Sequence, residues 1–134
     1  MHTTNYTNTF IAVAEDCPVG AGTPPPERAV PTVARLQYEL IRDNPYRYTS
    51  DDIIFLVHAI RNQLDPAVAA KARAEFFSRG QACLRTSPLA KRYGWGIHHD
   101  AEGRVAIYGR ESEEYSRLSQ DPTLAQLKAV RNGR

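Results

Sequence analysis

Apolar and polar residues alternate on both sides of Gly103, and this pattern predicts a β-hairpin. Residues 100–103 read Asp-Ala-Glu-Gly, the composition of a type I turn closed by a left-handed glycine. If this turn forms, His99 lies opposite Val105, and His98 and His99 point to opposite faces. The apolar face then carries Trp95, Ile97, Val105 and Ile107 with His99 at its rim, and the polar face carries His98, Asp100, Arg104 and Tyr108.

Apolar residues at helical spacing, together with capping residues, predict about five helices along the remaining chain. They begin at Pro31, after Thr49 or Ser50, at Asp65, at Ser87 and at Ser112. The third is expected to run as far as Gly80, and the fourth is a short turn that ends at Gly94. A last helix is expected to open at Asp121-Pro122, anchored by Leu124, Leu127 and Val130.

Near-continuous apolarity in residues 8–14 predicts an N-terminal strand, which is expected to join the hairpin. Residues 19–30 are rich in proline and glycine, so they predict an extended connecting loop. The order of elements is not the alternating pattern of a parallel sheet. The sequence therefore predicts an α+β fold over residues 1–134, one domain with a small antiparallel sheet of about three strands under about five helices.

Composition narrows the class of protein. Seventeen basic against fifteen acidic residues give a formal charge of +2, which argues against dedicated nucleic-acid binding but permits a small anionic ligand. The apolar run 53–60 contains His58 and is too short to span a membrane, and residues 1–10 lack the pattern of a signal peptide. Cys17 and Cys83 are far apart and fit reduced thiols. A soluble cytoplasmic protein is expected.

The adjacent His98-His99-Asp100 could supply metal ligands or acid/base groups. A regular strand sends the two imidazoles apart, and no HxH or HxxxH spacing completes a ligand set, so no metal site is predicted. No cofactor fingerprint is present either, since Gly94-x-Gly96 lacks a third glycine. His98 is the better catalytic candidate, with Asp100 orienting it, because Tyr108 lies on the same face.

Two cations, Lys91 and Arg92, end the short Ser87 helix immediately before the hairpin. They suit the negative end of the helix dipole. Alternatively, Arg92 and Lys91 bind a carboxylate or phosphate together with His98 and Tyr108, in a pocket between residues 87–94 and the polar face of the 95–108 hairpin.

Other reactive side chains are better explained by structure. Ser50 and Ser87 precede helices and suit caps, and His58 fits a helix boundary position with a hydrogen bond to a neighbour. Cys83 has Arg85 close by, so thiolate chemistry is conceivable, but a free cysteine is more often a small buried hydrophobe. Leu124 and Leu127 could pack on a second subunit and form a homodimer.

Four segments of the chain resemble a small, functionally uncharacterised bacterial protein family of about this length. They are HTTNYTNTFIAVAEDC (2–17), PTVARLQYELI (31–41), PYRYTSDD (45–52) and SPLAKRYGWGIHHD (87–100). The resemblance spans most of the chain and implies no activity, cofactor or catalytic residue. Three functions stay open: a binding protein for a small anion, a small enzyme that uses His98 as acid or base, and a protein-interaction module without a pocket.

Overall fold

The computed structural model describes residues 1–133, which form an α+β fold with five α-helices and one four-stranded sheet. The helices are α1 (Val33–Asp43), α2 (Ser50–Arg61), α3 (Ala69–Phe76), α4 (Pro88–Lys91) and α5 (Glu113–Ser119). The strands are β1 (Thr9–Ala12), β2 (Trp95–His99), β3 (Val105–Gly109) and β4 (Ala125–Lys128). Single 3₁₀ turns occupy Pro66–Val68 and Leu84–Thr86.

The hairpin forms in the predicted register. His99 pairs with Val105 and Gly96 with Tyr108 across β2 and β3. Gly103 adopts a φ of 79°, and the Asp100 carboxylate accepts hydrogen bonds from the backbone amides of Glu102 and Arg104. Asp100 therefore holds the turn, since its Oδ1 caps two amides that would otherwise lack a protein partner.

The sheet has one strand more than the sequence predicts, and this strand replaces the expected last helix. Residues Ala125–Lys128 lie parallel to β1, so the sheet order is β3-β2-β1-β4 and the sheet is mixed. The amides of Ala125 and Ala129 donate to backbone carbonyls of the β1 segment. The prediction of a helix was wrong because the free edge of β1 offers backbone hydrogen bonds to residues 125–128. The helical spacing of the apolar residues does not take this edge into account. Leu127, opposite Ile11, then packs against the core.

The third helix is shorter than expected. Asp65 caps a 3₁₀ turn, α3 follows and ends at Phe76, and residues 77–83 are irregular up to the next 3₁₀ turn. By contrast, α2 begins where the sequence indicates. Thr49 and Asp52 form a reciprocal capping box at its start.

The two faces of the sheet are covered by different helices. On one face, Ile11, Ile97 and Val105 join the main core cluster with residues of α1, α2 and α4. On the other face, Phe10 packs edge-on against Tyr115 of α5, at a ring distance of 5.1 Å. The sheet therefore separates α4 from α5, and side chains that alternate along β2 enter different surroundings.

The burial of His99 differs from what the sequence predicts. It lies on the core face, as predicted, but its residue surface is 0% exposed, so it is not at the rim. Its ring stands edge-on to Tyr6 at 5.4 Å, beneath the N-terminal segment. The sequence could not show this cover, because residues 1–8 contain no regular element that would predict it.

Candidate functional site

His98 lies on the sheet face opposite to His99 and takes part in a chain of hydrogen bonds. The hydroxyl of Tyr46 lies 2.8 Å from His98 Nδ1 and 2.7 Å from the hydroxyl of Tyr108. Tyr46 comes from the loop between α1 and α2, and its amide donates to the carbonyl of Val105 at the edge of β3. The hairpin supplies His98 and Tyr108, as predicted, but Tyr46 was not identified from the sequence.

Burial controls the protonation of this chain. It lowers the pKa of His98, against an opposing effect of Asp100 and Asp121. Burial, followed by the hydrogen bond with Tyr108, raises the pKa of Tyr46. At neutral pH the chain therefore consists of a neutral imidazole and protonated Tyr46.

Tyr46 also has an unusual backbone conformation. Its φ of 58° lies in the left-handed region, which a bulky aromatic residue rarely adopts. Such a conformation costs free energy and persists only where surrounding contacts hold it. Here those contacts are the amide bond to Val105 and the two hydroxyl contacts of the side chain.

The structure does not bring the four predicted ligand-binding residues together. Lys91 is the last residue of the core-side helix α4 and Arg92 is its C-cap, whereas His98 and Tyr108 face the other side of the sheet. The Arg92 Nε donates to Asn132 Oδ1 at 3.1 Å, and the Lys91 carbonyl accepts from Asn132 Nδ2 at 2.7 Å. The Arg92 guanidinium and the Lys91 backbone thus contact the C-terminal segment, and the sheet lies between these two residues and the polar hairpin face.

A cleft of about 290 Å³ opens on the core side, between α2 and the segment that leads into α4. We call it the Arg61 cleft. Its lining residues are Val33, Gln37, Ile54, Val57, His58, Arg61, Asn62, Phe76, Gln81, Ala82, Cys83, Thr86, Ser87 and Pro88. Ser87 is the cap of α4, as predicted, and its hydroxyl also donates to Gln37 Oε1 at 2.5 Å.

The charge in the Arg61 cleft is of one sign. Arg61 is the one lining residue with a formal charge, and the lining contains neither aspartate nor glutamate. Within residues 1–133, the Arg61 guanidinium has no ion pair, although Arg35, Arg42 and Arg73 each bind a carboxylate. An exposed guanidinium without a protein carboxylate is available to an anionic ligand.

The remaining reactive groups of the cleft have protein neighbours. His58 stacks on Phe76 with ring centroids 4.5 Å apart, and its Nδ1 lies 3.3 Å from Asn62 Nδ2, which fits the predicted boundary position. Cys83 Sγ lies 3.3 Å from the Tyr6 hydroxyl, and this contact is the main cause of a raised Tyr6 pKa. The Arg85 side chain turns away to bond the Lys128 carbonyl.

The sequence did not identify this cleft, because its lining comes from residues 33 to 88 and no short motif contains them. His58 and Ser87 have the structural roles expected of them, whereas Cys83 is only partly buried and contacts the Tyr6 hydroxyl. One signal was present in the sequence: the two polar turns at residues 61–63 and 85–87 flank apolar helices. Only tertiary packing shows that these turns face each other.

Residues 1–133 lack two other kinds of feature. This part of the chain has no cluster of three His, Cys, Asp or Glu side chains that could hold a metal ion. None of its helices combines the length and apolarity that a transmembrane span needs.

Comparison with known proteins places the chain in a family but supplies no activity. No curated protein and no solved structure is significantly similar to it. One family model, described as a family of unknown function (DUF6157), matches residues 1–134. Because this match covers the whole sequence, the chain belongs to the DUF6157 family of unknown function.

Proposed function

We propose that the protein binds a small anionic molecule in the Arg61 cleft. The observation that carries this proposal is an Arg61 guanidinium that has no ion pair within residues 1–133 and lies in a cleft whose described lining includes no carboxylate. An anion that enters meets no like charge from the lining and gains a charge-assisted hydrogen bond. The proposed site lies on the core side of the sheet. The anion site expected from the sequence lay between the Ser87 helix and the polar face of the hairpin.

The cleft also has the polar groups that would orient such a molecule. Gln37, Asn62 and Gln81 supply amides around the opening, and Phe76 and Val57 supply apolar walls. Small-molecule sites commonly combine apolar walls with few convergent polar groups, in volumes from about 300 Å³ upward. At about 290 Å³ the cleft suits a compact carboxylate or phosphate.

Replacing Arg61 by glutamine is expected to weaken binding of a carboxylate or phosphate at least about tenfold, because a hydrogen bond to a charged group contributes roughly 1.5–3 kcal/mol. The measurement is a thermal-shift screen of small carboxylates and phosphates, followed by isothermal titration of those that stabilise the protein. Wild-type affinity should also fall as salt is raised, since Arg61 lies at the surface.

The matched control is Arg104→Gln, which removes the same charge from an exposed turn residue outside the cleft. It should bind the ligand as the wild type does. Equal losses of affinity in both variants would show that binding depends only on net charge. This result would contradict a site at Arg61. If no anion stabilises the wild-type chain, the proposal fails, and the alternative of an interaction module is favoured.

The His98–Tyr46–Tyr108 chain favours a second candidate function, a small enzyme that uses His98 as acid or base. Its support is the pair of short contacts, 2.8 and 2.7 Å, around a tyrosine with left-handed backbone. Strained residues cluster at active sites, where the surrounding structure holds them. Asp100 acts here through its charge, because its Oδ1 is engaged by the turn amides.

This second candidate predicts that His98→Asn loses the conversion of a metabolite that wild-type protein carries out. Both proteins are incubated with a mixture of metabolites, and the products are compared by mass spectrometry. Tyr46→Phe, which removes the central hydroxyl, should slow the same conversion. Identical product profiles for wild type and His98→Asn would exclude the acid/base role.

A further inference from the structure

A second cleft adjoins the Arg61 cleft and shares two residues with it. This neighbour, which we call the Val30 cleft, measures about 470 Å³ and lies between the start of α1 and the end of α2. Its lining residues are Ala29, Val30, Pro31, Leu36, Ile60, Arg61, Asn62 and Gln63. Arg61 and Asn62 line both clefts, so the unpaired guanidinium lies where they meet.

The lining of the Val30 cleft combines polar and apolar residues. Arg61, Asn62 and Gln63 form its polar part, and the apolar half consists of Ala29, Val30, Pro31, Leu36 and Ile60. In that half, Val30 is 78% exposed and Ile60 is 47% exposed.

Single exposed hydrophobic residues are common and need no functional explanation. Val30 and Ile60 differ from that background because they come from separate segments and line the same cleft, with Pro31 and Leu36 beside them. Like the Arg61 cleft, the Val30 cleft has no carboxylate in its lining. An apolar group beside an unpaired cation suits a ligand that carries both features.

We propose that the ligand is an amphiphilic anion, with a carboxylate at Arg61 and an alkyl chain in the Val30 cleft. This inference rests on the proposed function and adds the chemical class of the ligand. The headgroup contacts Arg61 and Asn62, which both clefts share. The chain covers Val30 and Ile60 and removes their side chains from water. A volume of about 470 Å³ lies within the range of small-molecule sites.

Linear monocarboxylates from acetate to octanoate, below their micellar concentrations, test the proposal on the full chain by isothermal titration. Each methylene that leaves water strengthens binding by up to about fourfold. A chain that is only partly covered should therefore gain about threefold in affinity per methylene. Octanoate is then expected to bind roughly 80-fold more tightly than butyrate. Octanamide, which has the same chain without the charge, should bind much more weakly than octanoate.

Two variants separate the headgroup from the chain. Ile60→Ser should flatten the dependence on chain length, with the smallest loss of affinity for acetate and the largest for octanoate, whereas Arg61→Gln should weaken every carboxylate. Val68→Ser is the matched control, because Val68 is 49% exposed but lines neither cleft. Its binding should equal that of the wild type. Thermal unfolding of each variant establishes that it is folded.

The outcomes distinguish this inference from the proposed function. If short anions bind through Arg61 but chain length has no effect, the amphiphile is excluded and the anion site stands. Equal losses in Ile60→Ser and Val68→Ser would mean that the chains adsorb to any apolar residue, which also overturns the inference. If no carboxylate or phosphate binds the wild type, both proposals fail.

Discussion

Replacing His99 by leucine is expected to abolish most of an acid-induced loss of stability that the wild type undergoes between pH 6.5 and pH 4. In the wild type this loss is expected to be about 3 kcal/mol of unfolding free energy. The measurement is urea unfolding, monitored by circular dichroism, at several pH values from 7.5 to 4. The variant should show a much flatter profile over this range.

The direction follows from the burial of His99. Burial lowers its pKa from 6.5 to about 4 in the folded chain, because the charged imidazolium loses its hydration. Between these two values the unfolded chain binds a proton that the folded chain does not. Stability is therefore fully present above pH 6.5, falls as the pH decreases, and stops falling below about pH 4.

Neutral-pH stability provides a second readout for the same variant. Within residues 1–133, neither ring nitrogen of His99 has a hydrogen-bond partner. The backbone of Ile97 only partly opposes the lowering of the His99 pKa. Leucine has similar volume and no polar atoms to desolvate. His99→Leu should thus be at least as stable as the wild type at pH 7.5, which is unusual for a fully buried position.

His2→Leu is the control, since His2 is exposed and its replacement should leave the pH profile unchanged. A smaller slope should remain in His99→Leu, because His98 also has a lowered pKa and is only partly buried. A wild-type profile that is flat from pH 6.5 to 4, or a variant profile with the wild-type slope, would contradict the assignment to His99.

The hairpin was predictable because its information is local. A turn that needs a residue with positive φ at one position has glycine there, and period-two alternation then sets the register of β2 and β3. Helix starts were predictable for the same reason at Thr49, Ser87 and Ser112, which cap the amides that follow them. The first helix was expected to begin at Pro31, but its cap is Thr32 and it begins at Val33. Local chemistry also predicted that His98 and His99 separate.

The features that the sequence did not reveal depend on distant partners. Leu124, Leu127 and Val130 have helical spacing, but residues 125–128 form a strand because β1 has an open edge. Tyr46 joins His98 because its loop crosses the edge of β3. The Arg61 cleft likewise requires α2 to pack beside the segment before α4. In each case the decisive contact spans tens of residues, beyond any local pattern.

Asp51 illustrates the same limit, and its replacement by alanine is expected to cost about 3 kcal/mol of unfolding free energy. The sequence explains Asp51 as a favourable charge in the first turn of α2. In the structure it is buried and binds the N-terminal segment. Its carboxylate accepts from the Thr4 amide at 2.6 Å, the Thr4 hydroxyl at 2.7 Å and the Thr3 hydroxyl at 2.7 Å.

Alanine would leave the buried amide and hydroxyl of Thr4 without their charged acceptor, and one such loss already costs roughly 1–3 kcal/mol. Chemical denaturation at pH 7 measures the total. Asp51→Asn should lose less, because Oδ1 can still accept from Thr4 and the new amide can donate to the Thr3 hydroxyl.

Asp65→Ala is the matched control for Asp51→Ala, since this exposed cap accepts a single amide hydrogen bond at 2.9 Å. Its loss should be about 1 kcal/mol or less. Amide hydrogen exchange locates the effect. In Asp51→Ala, exchange should become faster in residues 1–8 and around His99, which Tyr6 covers. Equal losses for Asp51→Ala and Asp65→Ala would show that the N-terminal segment is held by other contacts.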